Sequence, residues 1–157
     1  MLIEILCTGD EILTGKTVNT NYSHMARRFG EVGLTMHWST VVGDDRSCLA
    51  SAFQQASQRA DVVIVNGGLG PTVDDLSQEV AAEAAGVGLI LDENWLSRML
   101  DFYERRGRTM PSNNKKQAML PEGAEFIDNP IGTACGFAIN IGRARFFFTP
   151  GVPREMR

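Results

Sequence analysis

The chain has 157 residues, 43% of them hydrophobic and 22% charged, with a formal net charge of −4. That length fits one compact domain able to bury a core, and the composition is that of a globular protein. The negative charge argues against general nucleic-acid or anionic-membrane binding, and no apolar run is long enough to span a bilayer.

Leu2 to Cys7 is an apolar run broken only by Glu4 and followed by the polar Thr8-Gly9-Asp10-Glu11, which predicts a strand entering a loop. Tyr22, Met25, Ala26 and Phe29 then fall at helical spacing, with Asn19 or Thr20 as the cap and Gly30 or Gly33 as the stop. Leu34 to Val42 alternates loosely and predicts a second strand, ending at Gly43-Asp44-Asp45. Ser47 is placed to cap a helix carrying Leu49, Ala52, Phe53 and Ala56. Val62 to Val65 is a short β-branched run, as expected of a strand covered on both faces of a parallel sheet. Leu76, Val80 and Ala84 mark a third helix stopped at Gly86. Trp95 to Tyr103 predicts a broad helical face between Glu93 and about Arg106, and Asn113 to Leu120 a short helix stopped by Pro121. Phe137 to Ile141 and Ala144 to Phe148 read as strands joined at Gly142. The βαβαβα order predicts a single three-layer α/β/α domain over residues 1–157 with a mostly parallel sheet.

The most informative segment is Asn66-Gly67-Gly68-Leu69-Gly70-Pro71-Thr72, followed by Asp74 and Asp75. Glycines at 67, 68 and 70 free the backbone to take positive φ and bring N–H groups close to a phosphate. Carboxylates just beyond offer hard oxygen ligands to a divalent cation. Three predicted strands end in the polar loops Thr8 to Glu11, Gly43 to Asp45 and Asn66 to Asp75. Ligands bind at the carboxyl ends of strands in open α/β sheets, so these loops should converge on one crevice holding up to six carboxylates. Each feature also has a plain reading. The glycine cluster can be a tight turn, and Asp74 and Asp75 can complement a helix dipole or cap its N–H groups. Asp10 with Glu11 can be a solvated turn, and Asp44 with Asp45 an ordinary turn into a capped helix.

Thr8-Gly9-Asp10-Glu11-Ile12, Asn19-Thr20-Asn21, Val42-Gly43-Asp44-Asp45, the 66–75 segment, Gly132-Thr133-Ala134 and Pro150-Gly151-Val152-Pro153 together resemble the amino-terminal domain of CinA proteins, within the MoaB/Mog molybdopterin-binding superfamily. The resemblance covers essentially the whole chain. It implies a divalent-metal-dependent pyrophosphatase acting on ADP-ribose or a related nucleotide, the choice among Mg, Mn, Co and Ni being open. It also implies that nicotinamide-mononucleotide deamidation resides in a separate carboxy-terminal domain, so no such activity is expected from this chain. The alternatives are molybdopterin binding or adenylyl transfer, or a non-catalytic sensor or oligomerisation module.

On the matching positions, the resemblance implies Asp10, Glu11 and Asp75 as catalytic, and Asp10, Asp44 and Asp75 as metal ligands. Phosphate or nucleotide contacts fall to Asn19, Asn21, Gly67, Gly68, Leu69, Gly70, Thr72, Lys116, Gly132, Thr133, Pro150 and Gly151. Asp75 with Ser77 matches the superfamily's acidic position, whereas Leu69 stands where cofactor-synthesis relatives carry threonine, which favours the CinA branch over pterin binding. Arg105, Arg106, Arg108, Lys115 and Lys116 are either cations at a helix end or a mobile basic flap over substrate phosphates. His24 and His37 are expected to be structural or on the surface. The aromatic residues of 95–103 are expected in the core or on an oligomer face, a homo-oligomer being the expectation. Cys7, Cys48 and Cys135 lack metal or redox spacing and are expected as buried small hydrophobes. Met1-Leu2-Ile3-Glu4 lacks the basic start of a signal peptide, so a cytoplasmic location is expected.

Overall fold

The computed structural model describes residues 1–156. Its strands are β1 (Ile3–Thr8), β2 (Trp38–Val42), β3 (Val62–Asn66), β4 (Leu89–Leu91), β5 (Met119–Pro121), β6 (Glu125–Ile127), β7 (Gly136–Ile141) and β8 (Ala144–Thr149). Six of them form one sheet in the order β2-β1-β3-β8-β7-β6, while β4 and β5 pair antiparallel apart from it. Within the sheet β2, β1, β3 and β8 run parallel; β7 is antiparallel to β8 and to β6. The helices are α1 (Asp10–Leu13), α2 (Thr20–Glu31), α3 (Arg46–Arg59), α4 (Ser77–Ala85), α5 (Glu93–Glu104) and α6 (Pro153–Met156), with a 3-10 helix at Ser112–Ala118.

Alternation along the central strands feeds two cores. Leu6, Val63, Val65, Phe146 and Phe148 point to the layer of α3, α4 and α5, where they meet Phe53, Val80 and Met99. Ile5, Cys7 and Ile64 point the other way, to Met25 of α2. Phe53 sets its edge against Phe146 and Phe148, centroids 5.8 and 5.6 Å away, and Phe148 stacks on Phe137 at 4.3 Å. Such pairs add about 0.5–1.5 kcal/mol beyond the area they bury. The three-layer expectation therefore holds, and β1 is buried at all six positions as its apolar run requires.

Glu4 is the exception within β1, and α3 answers it. Its carboxylate is fully buried and takes Arg59 in a fork, Nε at 2.8 Å and Nη2 at 2.5 Å, with the Thr40 hydroxyl at 2.6 Å. A buried acid without such partners would cost several kcal/mol.

Several local expectations are corrected. Asp45, not Ser47, caps α3: its carboxylate accepts the Cys48 amide at 2.9 Å and the Ser47 hydroxyl at 2.5 Å. That acceptance holds its carboxyl low, at about 2, the Ser47 hydroxyl contributing most. Cys48 is exposed, because position 48 lies in the first turn of α3 facing away from the core, whereas Cys7 and Cys135 are buried. β2 begins only at Trp38, whereas α2 ends at Glu31, between the two glycines expected to stop it. Residues 119–121 extend to pair with β4, so the predicted helix over 113–120 is a 3-10 helix that ends at Ala118. Asp10 and Glu11 lie in the single helical turn α1 rather than an open loop. His37 is structural, its Nδ1 accepting the Ile3 amide at 3.2 Å.

Candidate functional site

The loops after β1, β2 and β3 converge as expected, joined by the loop after β8, on a cleft of about 680 Å³ at the carboxyl end of the parallel strands. Its centre is the turn from β3 to α4. Gly67 and Gly68 have φ of 111° and 72°, values that disfavour any side chain. Gly70 has no positive φ; it is small because Asp75 packs against it, and a Cβ there would meet the Asp75 carboxylate at 2.5 Å. The turn is tied to the fold at both ends. Gly67 donates its amide to the Thr149 carbonyl at 3.0 Å, and Ser77 bonds back to the Gly67 carbonyl through its hydroxyl at 2.9 Å and to the Gly68 carbonyl through its amide at 3.1 Å. None of these bonds uses the amides of Gly68, Leu69 or Gly70.

The carbonyl side of the turn is clamped by the 3-10 helix. Gln117 Nε2 donates to the Leu69 carbonyl at 3.2 Å, Asn113 Nδ2 to that of Pro71 at 3.4 Å and Lys116 Nζ to that of Thr72 at 2.8 Å. Lys116 also sits 3.7 Å from Glu79. The basic segment thus acts as a fixed brace at this point, its lysine already bonded to the loop expected to hold phosphate. Arg106 lies over the Phe102 ring at 3.5 Å instead of over the cleft.

Five carboxylates line the cleft: Glu11, Asp44, Asp74, Asp75 and Glu155. Asp75 does not cap α4, which has no side-chain cap; its Oδ2 accepts the Thr72 amide at 2.9 Å and the Thr72 hydroxyl at 2.6 Å, closing the turn. Asp10 and Asp44 lock their loops together, each carboxylate accepting the other's amide, at 3.1 and 3.2 Å. Burial pushes the Asp44 carboxyl above its usual range; the bond from the Asp10 amide opposes this, and repulsion from Asp10, Glu11 and Asp75 adds to it. Among the described residues no three His, Cys, Asp or Glu side chains gather closely enough to cage a metal ion. The oxygen-only donor set still suits a hard cation held by one or two carboxylates, water and a ligand's phosphate, as magnesium is.

Of the residues singled out from sequence, Glu11, Gly67, Gly68, Leu69, Gly70, Thr72, Asp75, Asp44, Thr133, Pro150 and Gly151 all border the cleft. Asp10 braces its wall. Asn19 caps α2 by accepting the Tyr22 amide at 3.0 Å. Asn21, nearly buried, donates to Asn66 Oδ1 at 2.8 Å and to the Gly151 carbonyl at 2.7 Å, while Asn66 donates to the Pro150 carbonyl at 2.7 Å. Asn21 and Asn66 thus position the Pro-Gly loop; Asn66 itself lines the cleft, whereas Asn19 and Asn21 do not. Gly132 borders a separate groove beside α5; a Cβ there would strike Glu155 and Asn129. Leu69 borders the cleft by its backbone, since the residue is 1% exposed and its side chain belongs to the main core.

Sequence reasoning singled out neither Gln117 nor Glu155 as a cleft residue, and Thr8 only as the start of a loop expected at the crevice. Thr8 carried a signal, as the last residue of a strand facing the crevice. Gln117 and Glu155 reach it only through tertiary packing.

The family model for a probable molybdopterin binding domain matches residues 4–157. A CinA-like protein of Escherichia coli O9:H4 (strain HS) is 52% identical over 155 residues, 99% of this chain and 39% of the relative. A relative from Escherichia coli K12 with the same identity and coverage is called NMN amidohydrolase-like protein YfaY. The chain therefore spans about two fifths of the length of these curated relatives. The crystal structure of CinA from Thermoplasma acidophilum superposes with a TM-score of 0.87 at 35% identity, covering 98% of this chain and 90% of that one. MogA gives 0.64 at 18% identity, covering 100% and 88%, and shows likeness of fold. By its sequence over nearly its whole length, and by its fold, the chain belongs to the probable molybdopterin binding domain family, as a CinA-like member.

Proposed function

We propose that the cleft binds the phosphate-bearing part of a nucleotide and, with a divalent cation, hydrolyses the pyrophosphate of ADP-ribose or a related compound. One observation carries this reading: a single cleft holds a braced glycine turn with three uncommitted amides and a wall of carboxylates. The amides of Gly68, Leu69 and Gly70 offer phosphate oxygens donors whose geometry is set before ligand arrives, so little ordering is spent on binding. Asp44 and Asp75 would hold the cation, which when bound would offset charge on the phosphates and acidify water. Glu11, whose carboxylate lies against Gly9 at the cleft wall, takes the proton of the attacking water. The water oxygen bonds to phosphorus, the bridging P–O bond breaks with its electron pair going to the leaving phosphate, the proton passes from Glu11 to that phosphate, and two monophosphates leave.

A pterin reading has its own support in the family description and in the likeness to MogA. Calorimetry with ADP-ribose and with molybdopterin, each with and without magnesium or manganese, separates the two. Metal-dependent binding of ADP-ribose and release of two monophosphates is the expected result. Binding of molybdopterin alone favours the second reading, and turnover undiminished by EDTA overturns the role of the cation.

A further inference from the structure

Thr8 ends β1 at the floor of the cleft, and the residue is 5% exposed. Its hydroxyl is buried and bonds to no described residue. Leaving a buried hydroxyl without a partner is costly, which is why buried polar atoms are nearly always satisfied. The missing side chains of the glycine turn keep the space beside it clear. A Cβ on Gly67 would lie 2.7 Å from Thr8 Oγ1, and one on Gly68 3.3 Å from it. The hydroxyl thus sits against the glycine turn that lines the cleft. Thr72, the threonine within the turn itself, is committed elsewhere, its hydroxyl donating to Asp75 at 2.6 Å.

We infer that Thr8 Oγ1 is the side-chain donor for a phosphoryl oxygen of the bound ligand, acting with the amides of Gly68 to Gly70. This deepens the proposed function by assigning the phosphate rather than the base or sugar to the β1 end of the cleft. Thr8→Val keeps the β-branched shape and removes only the donor; Thr8→Ser keeps the donor. The measurements are calorimetric affinities for ADP-ribose and for inorganic pyrophosphate, and the melting temperature without ligand.

The valine variant should bind both probes about tenfold more weakly, the serine variant within about threefold of the parent. The melting temperature of the valine variant should not fall, because an unsatisfied buried hydroxyl has been removed. Parental affinity in Thr8→Val, or a drop in melting temperature shared by both variants, overturns the assignment and makes Thr8 structural. Pyrophosphate binding with no ADP-ribose binding, and the same valine–serine contrast, supports Thr8 while refuting the ADP-ribose reading. No binding of either probe by the parent refutes both.

Discussion

Gly68→Ala tests whether the glycine turn is built for the fold as well as for a ligand. Gly68 has φ of 72°, and a Cβ there would collide with the Ser77 hydroxyl and lie 3.1 Å from Ser77 Cβ. Placing alanine in the left-handed region costs about 1–2 kcal/mol. Moving the Ser77 hydroxyl away breaks its buried 2.9 Å bond to the Gly67 carbonyl, for about 1–3 kcal/mol more. Together these give roughly 2–5 kcal/mol, or about 4–20 °C in melting temperature for a domain of this size. Ser77→Ala alone loses the same bond, so the double variant loses it once, not twice. The cycle should therefore show a favourable coupling of about 1–3 kcal/mol. Urea unfolding followed by the fluorescence of the two tryptophans, with the slope unchanged, measures each corner. A Gly68→Ala protein of parental stability, or two costs that simply add, refutes the reasoning.

Asp75→Asn should lower metal-dependent turnover by orders of magnitude with little change in melting temperature, since the amide oxygen can still accept from the Thr72 N–H; parallel loss of folding and activity would make Asp75 only a clasp of the turn. Asp44 has a raised carboxyl pKa in the folded state, so its ionisation opposes folding: the penalty is absent below the ordinary carboxyl range and grows as pH rises through the folded value. Asp44→Asn should accordingly raise the melting temperature at neutral pH and not at pH 3, a difference read by thermal scans at both; equal effects at the two pH values would refute the charge argument. Gln117→Leu leaves the Leu69 carbonyl without its donor and should weaken nucleotide binding about tenfold while hydrogen exchange quickens in residues 68–72; unchanged exchange there would show the brace to be idle.

The parallel half of the sheet was legible because its strands are apolar runs of the right length and its helices keep one face. Val62 to Asn66 and the glycines after it are read from residues adjacent in sequence, and the same adjacency makes the turn recognisable. Where the outcome depended on partners far along the chain, local pattern failed. Residues 119–121 look like the tail of a helix until β4, some thirty residues earlier, offers them a ladder. Cys48 looks like core by residue type, but its depth is set by which face of α3 it occupies.

The same division runs through the site. A cluster of acids can be counted from sequence, yet what each carboxylate oxygen does depends on the donors that reach it. Two of the six expected acids do not line the cleft: Asp10 spends an oxygen on the Asp44 amide and Asp45 caps α3. Glu155 replaces part of that charge, brought in by α6 and given room by Gly132, whose absent side chain lets the carboxylate reach Asn129 at 2.9 Å. The cleft therefore concentrates negative charge against the glycine turn, and at Asp44 burial, with added repulsion from Asp10, Glu11 and Asp75, pushes the carboxyl pKa up. A phosphate alone would add to that repulsion, and a phosphate arriving with a cation would relieve it. Ligand affinity should for that reason rise steeply with added divalent metal, and calorimetry showing equal affinity with and without the metal would refute the charge argument.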